Sequence, residues 1–434
     1  MEFREMMSGR LLIVFLVLAT QVGIGCTQGV ESSTQSEISD SAGTRIVLNR
    51  SPRWVEEETW TVSPDPIVTI GVLDGPEEYQ LVDVADVTRR SDGIYVIADR
   101  GSQAVRLYGA EGTFLRTFGS AGSGPGEFTD PGPLLVTAGD TLVVWDQSLL
   151  RFTRFDREGE LADVRTVDWG QLFTRLQLEV EVGKSDVTMK GMAAGGGLYP
   201  GAMEPLADGS FLVRLAEKAD DAPSEGYHRK RGGALRLSAD FSRVDTLMFF
   251  GETEQYAVEA PWGPYAVAPP LAKRTEIAHR AGSSRICIGD QEKPEIVCIR
   301  SDGERTLIRW NAEPAPVLEP EIALWKEATV QEYDLKLSRS QVLEMLERVP
   351  TPQSRPPYSS LHLDPANHLW VERGPTSGKE GESTDFLVFD SNGVLLGTVT
   401  FPSVRVLEVG LDYVLGVHVD QLGIQYVRVY RLIR

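Results

Sequence analysis

Cysteine, histidine and basic residues are scarce in this chain of 434 residues. It has three Cys and five His, and its 43 Lys and Arg are outnumbered by 63 Asp and Glu. The net charge of −20 argues against nucleic acids and anionic membrane surfaces as partners, because both are bound through basic patches. The histidines are dispersed and lack the close spacing of zinc ligands: His228, His279, His362, His368 and His418. No Gly-x-Ser-x-Gly or triad signature occurs, so the sequence assigns no catalytic residue and predicts no cofactor.

Long apolar runs are also missing, except at the N-terminus. Leu11–Ala19 reads LLIVFLVLA and follows Arg4 and Arg10. This run is too short to span a bilayer comfortably but is typical of the apolar region of a secretory signal. We therefore predict a signal peptide over residues 1–25. Because no other stretch approaches membrane-spanning length, membrane contact is expected only through an N-terminal anchor.

The sequence Gly23-Ile-Gly-Cys26 resembles the bacterial lipobox, although it has Gly23 where Leu is usual. The resemblance implies that Cys26 is lipidated and that the protein is an anchored lipoprotein facing the periplasm or cell surface. The alternative is cleavage and secretion, with Cys26 discarded or left as a free thiol. Residues 26–44 are rich in Ser, Thr, Glu and Gln, a composition that cannot bury a core and predicts a disordered tether.

A repeated pattern of short strands fills the rest of the chain. Alternating runs of Val, Ile, Leu and aromatic residues are separated by Asp-Gly and Asn-Gly turns, which is typical of β-meanders. The six copies start at Asp92, Gly139, Ala207, Arg285, Asn367 and Asp412. Because no single copy can bury its own apolar faces, we predict an all-β fold over residues 45–434, a six-bladed β-propeller.

The sixth copy lacks its edge strand, and the N-terminal region supplies a match. Pro66–Gly71 resembles the edge strand Thr113–Gly119, and Gly75–Tyr79 (GPEEY) aligns with Gly124–Phe128 (GPGEF). We therefore predict that the N-terminal strand completes the last blade and closes the ring, which removes an open sheet edge.

The run from Phe118 through Asp146 resembles an NHL-type repeat, with Gly-Pro-Gly-Glu-Phe, a strand and a final Asp. More broadly, Pro66–Arg434 resembles the six-bladed propellers found as bacterial lipoproteins. The resemblance implies a fold and a location in the cell envelope, but it implies no ligand and no reaction.

Two segments interrupt the repeat. The insertion between Val167 and Leu206 contains the Gly-rich stretch Gly191–Gly197, which is predicted to be a mobile loop. Residues 319–349 are predicted to form one or two helices, because Ser338 and Gln341 have the spacing of a capping box ahead of an apolar face. These helices either cover one end of the channel or pack on the rim, and the second interpretation is favoured.

Several motifs have a structural and a functional interpretation. The Gly-rich run 119–126 lacks the Lys and the following helix of a phosphate-binding loop, so it is interpreted as a joint between blades. Asp99 and Asp146 follow equivalent strands and are either metal ligands or, as favoured here, acceptors for turn amides. Arg106 and Arg151 are expected to pair with neighbouring carboxylates or turn carbonyls.

Cys287 and Cys298 lie symmetrically about the turn at residues 291–294. In the register that this turn predicts, they face each other on antiparallel strands, at a distance that a disulfide can bridge. Export to an oxidising compartment favours the bond. The alternative is two buried thiols, which a one-residue shift in register would produce.

Two classes of function remain open. The first is a non-enzymatic binding or scaffold module that presents one face of the ring to an envelope protein, peptide or glycan. The second is a metal-assisted hydrolase or lactonase with carboxylates at the channel mouth, which would place a divalent metal there. A sensor or assembly component is a further alternative. The sequence names neither the ligand nor the residues that line the channel.

Overall fold

The computed structural model describes residues 35–55, 58–137, 139–170, 179–182, 187–191, 198–206, 208–217, 224–280, 283–333, 336–374 and 383–434. The predicted signal peptide, Cys26 and residues 26–34 of the predicted tether lie outside the described residues, as do residues 192–197 of the Gly-rich stretch. In the described part of the chain, no helix has the length and hydrophobicity needed to cross a membrane.

The described residues form six sheets of four or more strands, each built around an antiparallel meander. Sheet 1 contains β5 (Val84–Arg89), β6 (Tyr95–Asp99), β7 (Ala104–Tyr108) and β8 (Phe114–Phe118). Sheet 2 contains β9 (Pro131–Val136), β10 (Leu142–Asp146), β11 (Arg151–Phe155) and β12 (Leu161–Thr166). Sheet 3 contains β15 (Leu198–Pro205), β16 (Phe211–Glu217), β17 (Gly226–Leu237), β18 (Val244–Ala260) and β19 (Gly263–Val267). A separate hairpin, β13 (Glu179–Val182) with β14 (Val187–Gly191), lies between sheets 2 and 3 in the chain.

The other three sheets also follow chain order. Sheet 4 contains β20 (Glu276–Ala278), β21 (Arg285–Gly289), β22 (Glu295–Arg300) and β23 (Arg305–Trp310). Sheet 5 contains β24 (Leu361–Leu363), β25 (Leu369–Arg373), β26 (Thr384–Phe389) and β27 (Leu395–Phe401). Sheet 6 contains β28 (Arg405–Val409), β29 (Tyr413–Val419) and β30 (Gln425–Ile433). Two helices, α1 (Glu319–Tyr333) and α2 (Arg339–Leu346), lie between sheets 4 and 5 in the chain.

The N-terminal strands extend two of these sheets. They are β1 (Ser36–Ser41), β2 (Thr44–Asn49), β3 (Thr61–Val62) and β4 (Val68–Ile70). β2 pairs in parallel with β23, and β1 pairs with β2. Both β3 and β4 pair antiparallel with β30, and Val68 faces Val429. The predicted pairing of the N-terminal strand with the last strand of the chain is therefore found.

The strands β1 and β2 correct the predicted tether. Residues 36–44 were expected to be disordered, but Ser36–Ser41 form β1, which lies at the outer edge of sheet 4. The reason is tertiary: β23 offers an unpaired edge, and β2 binds it from Thr44 to Asn49. The side chain of Asn49 strengthens the attachment, because its Nδ2 donates to the carbonyls of Arg309 and Gly393 at 3.1 and 3.0 Å.

The chain between β2 and β3 crosses the edge of sheet 5. The backbone amides of Arg53 and Trp54 donate to the carbonyls of Leu395 and Leu396 at 3.0 and 2.7 Å. Residues 36–55 and 58–70 therefore form a strap, which binds the outer edges of sheets 4, 5 and 6 in succession.

The hydrophobic core lies between neighbouring sheets. Six clusters of buried side chains each join two sheets: 1 with 2, 2 with 3, 3 with 4, 4 with 5, 5 with 6, and 6 with 1. The second strands, such as β6 and β10, are buried along their whole length, because a neighbouring sheet covers each face. Each sheet therefore packs against the next one along the chain, and the last sheet packs against the first. This cyclic packing gives a propeller-like all-β fold.

The Gly-rich run at residues 119–126 is the joint between sheets 1 and 2. It leaves β8 and leads into β9 with no helix between them. Gly119 has a φ of +69°, and a Cβ there would lie 2.5 Å from the carbonyl oxygen of Gly126. Backbone conformation and close approach therefore explain this glycine without a ligand.

The predicted disulfide pairing is present. Cys287 on β21 faces Cys298 on β22, and their sulfur atoms are bonded. Both residues are buried in the cluster between sheets 4 and 5, so the bond closes a hairpin within the core.

Candidate functional site

The first strands of the sheets lie next to one another. β5 contacts β9 and β28, and β24 contacts β20 and β28. We call β5, β9, β15, β20, β24 and β28 the inner strands. Charged side chains on these strands, or directly after them, form a group that we call the inner-strand cluster: Asp86, Glu204, His279, Arg280, Arg405 and Glu408. All six are half-buried, so protein atoms surround them while solvent still reaches part of each side chain.

Asp86 is held in place by two backbone amides. Leu134 N donates to its Oδ2 at 2.8 Å, and Val87 N donates to its Oδ1 at 2.8 Å. Burial raises the pKa of Asp86 to about 7 despite these hydrogen bonds, and the nearby carboxylates Glu408 and Glu204 add to the increase. Near neutral pH, Asp86 can therefore either donate or accept a proton.

Glu204 and His279 form an ion pair through Oε2 and Nε2. Burial alone would lower the pKa of His279, but the carboxylates of Glu204 and Asp86 raise it above its ordinary value. The same pairing, helped by Arg214, lowers the pKa of Glu204 although burial opposes this. The pairing therefore favours the charged form of both side chains.

Glu408 is bound by three side chains from different parts of the fold. Thr88 Oγ1 donates to its Oε2 at 2.8 Å, the hydroxyl of Tyr413 donates to its Oε1, and Arg280 lies 3.8 Å from that oxygen. Burial, followed by the charge of Glu408, raises the pKa of Tyr413. Glu408 thus links sheets 6, 1 and 4 at the inner strands.

His362 is the inner-strand histidine of sheet 5. Burial lowers its pKa to about 4, so it is neutral at physiological pH. Its Nε2 lies 3.1 Å from Ser360 Oγ. His362 and His368 do not share a site, because His368 bonds Asp364 at 2.9 Å.

These groups do not converge on a metal position. Within the described ranges, no set of three His, Cys, Asp or Glu side chains is placed to hold a metal ion. The carboxylates of Glu204 and Glu408 face cationic or hydroxyl partners rather than each other. The described residues therefore do not fit a metal centre, and we derive no metal-dependent step.

Asp99 and Asp146 have the structural role that was favoured. Asp99 accepts from Asp83 N at 2.9 Å, and Asp146 accepts from Thr129 N at 2.8 Å. Each carboxylate therefore binds the segment that enters the inner strand of its own sheet. Arg106 and Arg151 bind the joints that precede their sheets. Arg106 donates to the carbonyl of Gln80 at 2.9 Å, and Arg151 donates to the carbonyl of Ser123 at 2.8 Å.

A cleft of about 400 Å³ lies where sheets 3, 4 and 5 approach one another. Its wall combines apolar groups, among them Leu271 and Ala272, with the polar side chains of Gln291 and Ser359. Gln291 is buried and has a φ of +62°. Its Oε1 accepts from Arg274 N at 2.8 Å, so it fixes one wall. Ser359 Oγ is a buried atom that has no hydrogen-bond partner among the described residues.

The helical insertion braces this cleft. Trp325 Nε1 donates to Ala268 O at 2.8 Å, and Glu321 Oε2 lies 3.0 Å from an Arg355 guanidinium nitrogen. Trp325 and Glu321 are four residues apart on α1 and share a face, while Ala268 and Arg355 both line the cleft. The helix therefore holds two parts of the wall at fixed positions.

α2 begins with the predicted capping box, in which Ser338 and Gln341 exchange hydrogen bonds. Its buried residues pack with Val258 and Val267 of the extended hairpin β18–β19. This hairpin, which the sequence pattern did not predict, supports the insertion from sheet 3.

No protein-family model and no curated protein sequence matches the chain. Solved structures with a similar backbone include a protein from Bacteroides fragilis named as a candidate exported protein (12% identity, 90% of this chain and 99% of that one, TM-score 0.47). A member of the DUF4221 family from Bacteroides vulgatus has 8% identity, 86% and 98% coverage, and a TM-score of 0.48. A gluconolactonase from Xanthomonas campestris has 13% identity, 82% and 86% coverage, and a TM-score of 0.36. Because these TM-scores are below 0.5, no argument about ligand or activity is based on them.

Proposed function

We propose that this protein is an exported, six-bladed β-propeller of the NHL-like type that binds an envelope protein, peptide or glycan through the cleft beside α1. The six sheets are the six blades, and the inner strands surround the channel. The cyclic order of the six core clusters supports this assignment, as does the pairing of β4 with β30, which joins an N-terminal strand and the last strand of the chain in one blade.

The observation that carries the binding proposal is the cleft itself. Its volume of about 400 Å³ is within the range of roughly 300–1,000 Å³ that is typical of small-molecule sites, so it can take a few residues of a peptide or one or two sugar rings. Apolar groups form much of the wall, as is typical of ligand clefts. A rigid wall suits binding, because the site needs little ordering when the ligand arrives.

Glycan and peptide arrays test this proposal. We expect the wild-type protein to retain a defined subset of ligands and the Ala272→Trp variant, which fills the cleft, to lose at least tenfold in affinity. Leu422→Trp is the matched control, because Leu422 is exposed in a turn of sheet 6. Equal binding by Ala272→Trp and Leu422→Trp would remove the cleft from consideration, and thermal unfolding verifies that both variants are folded.

We propose that the protein is located in the cell envelope. It would be anchored through a lipid on Cys26 and face the periplasm or the cell surface. The apolar run before Cys26 supports export. Metabolic labelling with a fatty acid, followed by fractionation, tests the anchor. Label on the wild-type protein and none on Cys26→Ser is the expected result, whereas an unlabelled protein in the soluble envelope fraction indicates cleavage and secretion.

The second candidate is a hydrolase or lactonase whose carboxylates lie at the channel mouth. The observation that favours it is the placement of Asp86, Glu204 and Glu408 together at the inner strands. A panel of lactones and esters, assayed with and without added divalent cations, tests it. Turnover that Glu408→Gln abolishes and Ala272→Trp preserves would favour this function over the binding module.

A further inference from the structure

We infer that the cleft beside α1 recognises a carboxylate group on a peptide, which the guanidinium groups of Arg355 and Arg274 bind. This inference rests on the function proposed above, because it concerns the same cleft and names the chemistry of its ligand. Three observations support it: the charged residues of the wall are all cationic, Arg355 has donors without partners, and Arg274 adds a second guanidinium.

The charged residues that line the cleft are of one sign. Among the described residues of the wall, Arg274 and Arg355 carry a charge, and none is an Asp or a Glu, although 63 acidic residues outnumber 43 basic ones in the chain. The carboxylates that pair with the two arginines belong to Glu276 and Glu321, which do not line the cleft. The charged groups that the wall presents are therefore hydrogen-bond donors only, which suits a ligand group that only accepts.

Arg355 has donors available for such a group. Its Nε donates to Oε2 of Glu321 at 3.1 Å, and its Nη2 lies 3.0 Å from the same oxygen, so Glu321 occupies one edge of the guanidinium. Nη1 has no hydrogen-bond partner in the described part of the chain, and 21% of the side chain is exposed. The edge formed by Nη1 and Nη2 can therefore bind both oxygens of a carboxylate, whose geometry it matches.

The position of Arg355 is fixed before a ligand arrives. Its backbone N donates to the carbonyl of Ala315 at 2.8 Å. Glu321, which holds its guanidinium, lies on α1, and the same helix is attached to the wall through the bond from Trp325 to Ala268. Because the guanidinium is already oriented, binding a carboxylate costs little side-chain entropy.

Arg274 brings a second guanidinium to the same cleft. Its backbone N donates to Oε1 of Gln291 at 2.8 Å, and its Nε donates to Glu276. Its Nη1 and Nη2 have no partners among the residues that the structure describes, and 51% of the side chain is exposed. An ion pair this exposed is worth little, so Arg274 can turn towards a bound anion at a small cost.

The uncharged part of the wall favours a peptide over a glycan. Leu271, Ala272 and Pro356 line the cleft and can contact an aliphatic side chain next to the carboxylate. The one aromatic residue among the described wall residues, Tyr358, is buried, and its hydroxyl accepts from Gln291 N at 2.9 Å. Its ring therefore offers no exposed face on which a sugar could stack.

Three matched peptides test the inference by calorimetric titration of the folded protein at pH 7: acetyl-Leu-Glu-amide, acetyl-Leu-Gln-amide and acetyl-Leu-Gln with a free carboxyl terminus. We expect saturable binding of at least one acidic peptide, with an affinity at least tenfold above that of the neutral amide, because hydrogen bonds to charged groups are the stronger ones. The tighter acidic peptide shows whether a side chain or a terminus supplies the carboxylate. Absence of saturable binding by both acidic peptides, or equal binding of all three, would overturn the inference.

Variants show which residues bind the carboxylate. Arg355→Gln and Arg274→Gln should each weaken binding of the acidic peptide, by at least tenfold and threefold. The matched control is Arg243→Gln, because Arg243 is also exposed and also pairs with a carboxylate two residues further on, that of Asp245, but does not line the cleft. Glu321→Gln removes a competing carboxylate from Arg355 and should strengthen binding at least threefold, a gain that a purely structural role of Arg355 does not predict.

Thermal unfolding verifies that each variant is folded, and Arg274→Gln and Glu321→Gln carry the test if Arg355→Gln is not. The inference is wrong if Arg274→Gln binds the acidic peptide as tightly as Arg243→Gln does, or if Glu321→Gln does not strengthen binding.

The same measurements distinguish a failure of this inference from a failure of the proposed function. If Ala272→Trp loses the ligands that the arrays identify while acidic and neutral peptides bind the wild type alike, the cleft is a binding site and only its preference for a carboxylate is wrong. If Ala272→Trp binds the acidic peptide as tightly as the wild type does, the carboxylate is bound elsewhere and the inference fails.

Discussion

Arg434 donates a hydrogen bond of 2.6 Å to Oδ2 of Asp364, a carboxylate that is fully buried between sheets 5 and 6. The same oxygen accepts from Trp370 Nε1 at 3.1 Å and lies 2.9 Å from His368 Nδ1. Burial would raise the pKa of Asp364, but His368 and Arg434 lower it below its ordinary value. The guanidinium also lies over the ring of Trp60, 4.4 Å from its centroid, so one residue joins the strap to two sheets.

We therefore predict that Arg434→Ala lowers the free energy of unfolding by about 2 kcal/mol, because it removes a charged hydrogen bond from a buried carboxylate. Since the folded state lowers the pKa of Asp364, this stabilisation is present above the unfolded value of about 3.9 and is lost as the pH falls through the lower folded value. Urea unfolding at pH 7 and pH 3 measures the difference. Arg431→Ala, at an exposed position of β30, is the control, and an equal loss in both variants would contradict the prediction.

The strap can be tested by a double-mutant cycle. A Cβ at Gly397 would lie 2.3 Å from Cε3 of Trp54, so Gly397→Ala must displace that indole and should cost about 1–3 kcal/mol. In a Trp54→Ala background the clash is gone, and the same substitution should cost less than about 0.5 kcal/mol. Chemical denaturation of the four proteins gives the coupling energy. A coupling near zero would mean that Trp54 does not lie on sheet 5 in solution.

The disulfide predicts a specific loss of stability on reduction. Cys287 and Cys298 are separated by 11 residues, and closing a loop of that length stabilises the folded state by about 3 kcal/mol in the chain-entropy model. The Cys287→Ala/Cys298→Ala double variant should therefore unfold at lower denaturant concentration, and reducing agent should affect the wild type only. Thiol titration of the unfolded, unreduced protein provides the check: two reactive thiols beyond Cys26 would contradict the bond.

The raised pKa of Asp86 predicts that stability depends on pH with the opposite sign to that predicted for Asp364. Its pKa rises from 3.8 to about 7 on folding, so between these values the folded state binds more protons than the unfolded state. Stability from this group therefore falls as the pH rises from about 4 to about 7, by up to about 4 kcal/mol at 1.36 kcal/mol per pKa unit.

We expect Asp86→Asn to remove that slope and to be more stable than the wild type at pH 8, with little difference at pH 4. Urea unfolding over this pH range measures both proteins, and Asp412→Asn serves as the control at an exposed carboxylate. A wild-type protein that is at least as stable as Asp86→Asn at pH 8 would contradict the raised pKa.

The features that the sequence predicted are those set by local pattern. The register of Cys287 and Cys298 follows from a short hairpin, and the pairing of β4 with β30 follows from the likeness between Pro66–Gly71 and the edge strand of sheet 1. The acceptor roles of Asp99 and Asp146 follow from their position at the ends of equivalent strands. In each case the signal is either a local pattern or a likeness between two repeats.

The inner-strand cluster could not be predicted in the same way. Asp86, Glu204, His279 and Glu408 lie far apart in the chain and meet only because the sheets return to their starting point. The sequence around each of these residues contains no motif with a recognisable spacing. The hairpin β1–β2 was missed for a related reason: its polar composition favours disorder, and only the free edge of β23 orders it.

The strap also has a consequence for the order of folding. The strands β2, β3 and β4 pair with β23 and β30, so the segment that is synthesised early has no partner until the last third of the chain has been made. Contacts so distant in sequence form slowly. Until β23 and β30 have been synthesised, β2, β3 and β4 lack the strands with which they pair in the folded protein, so we expect the strap to complete its pairing late.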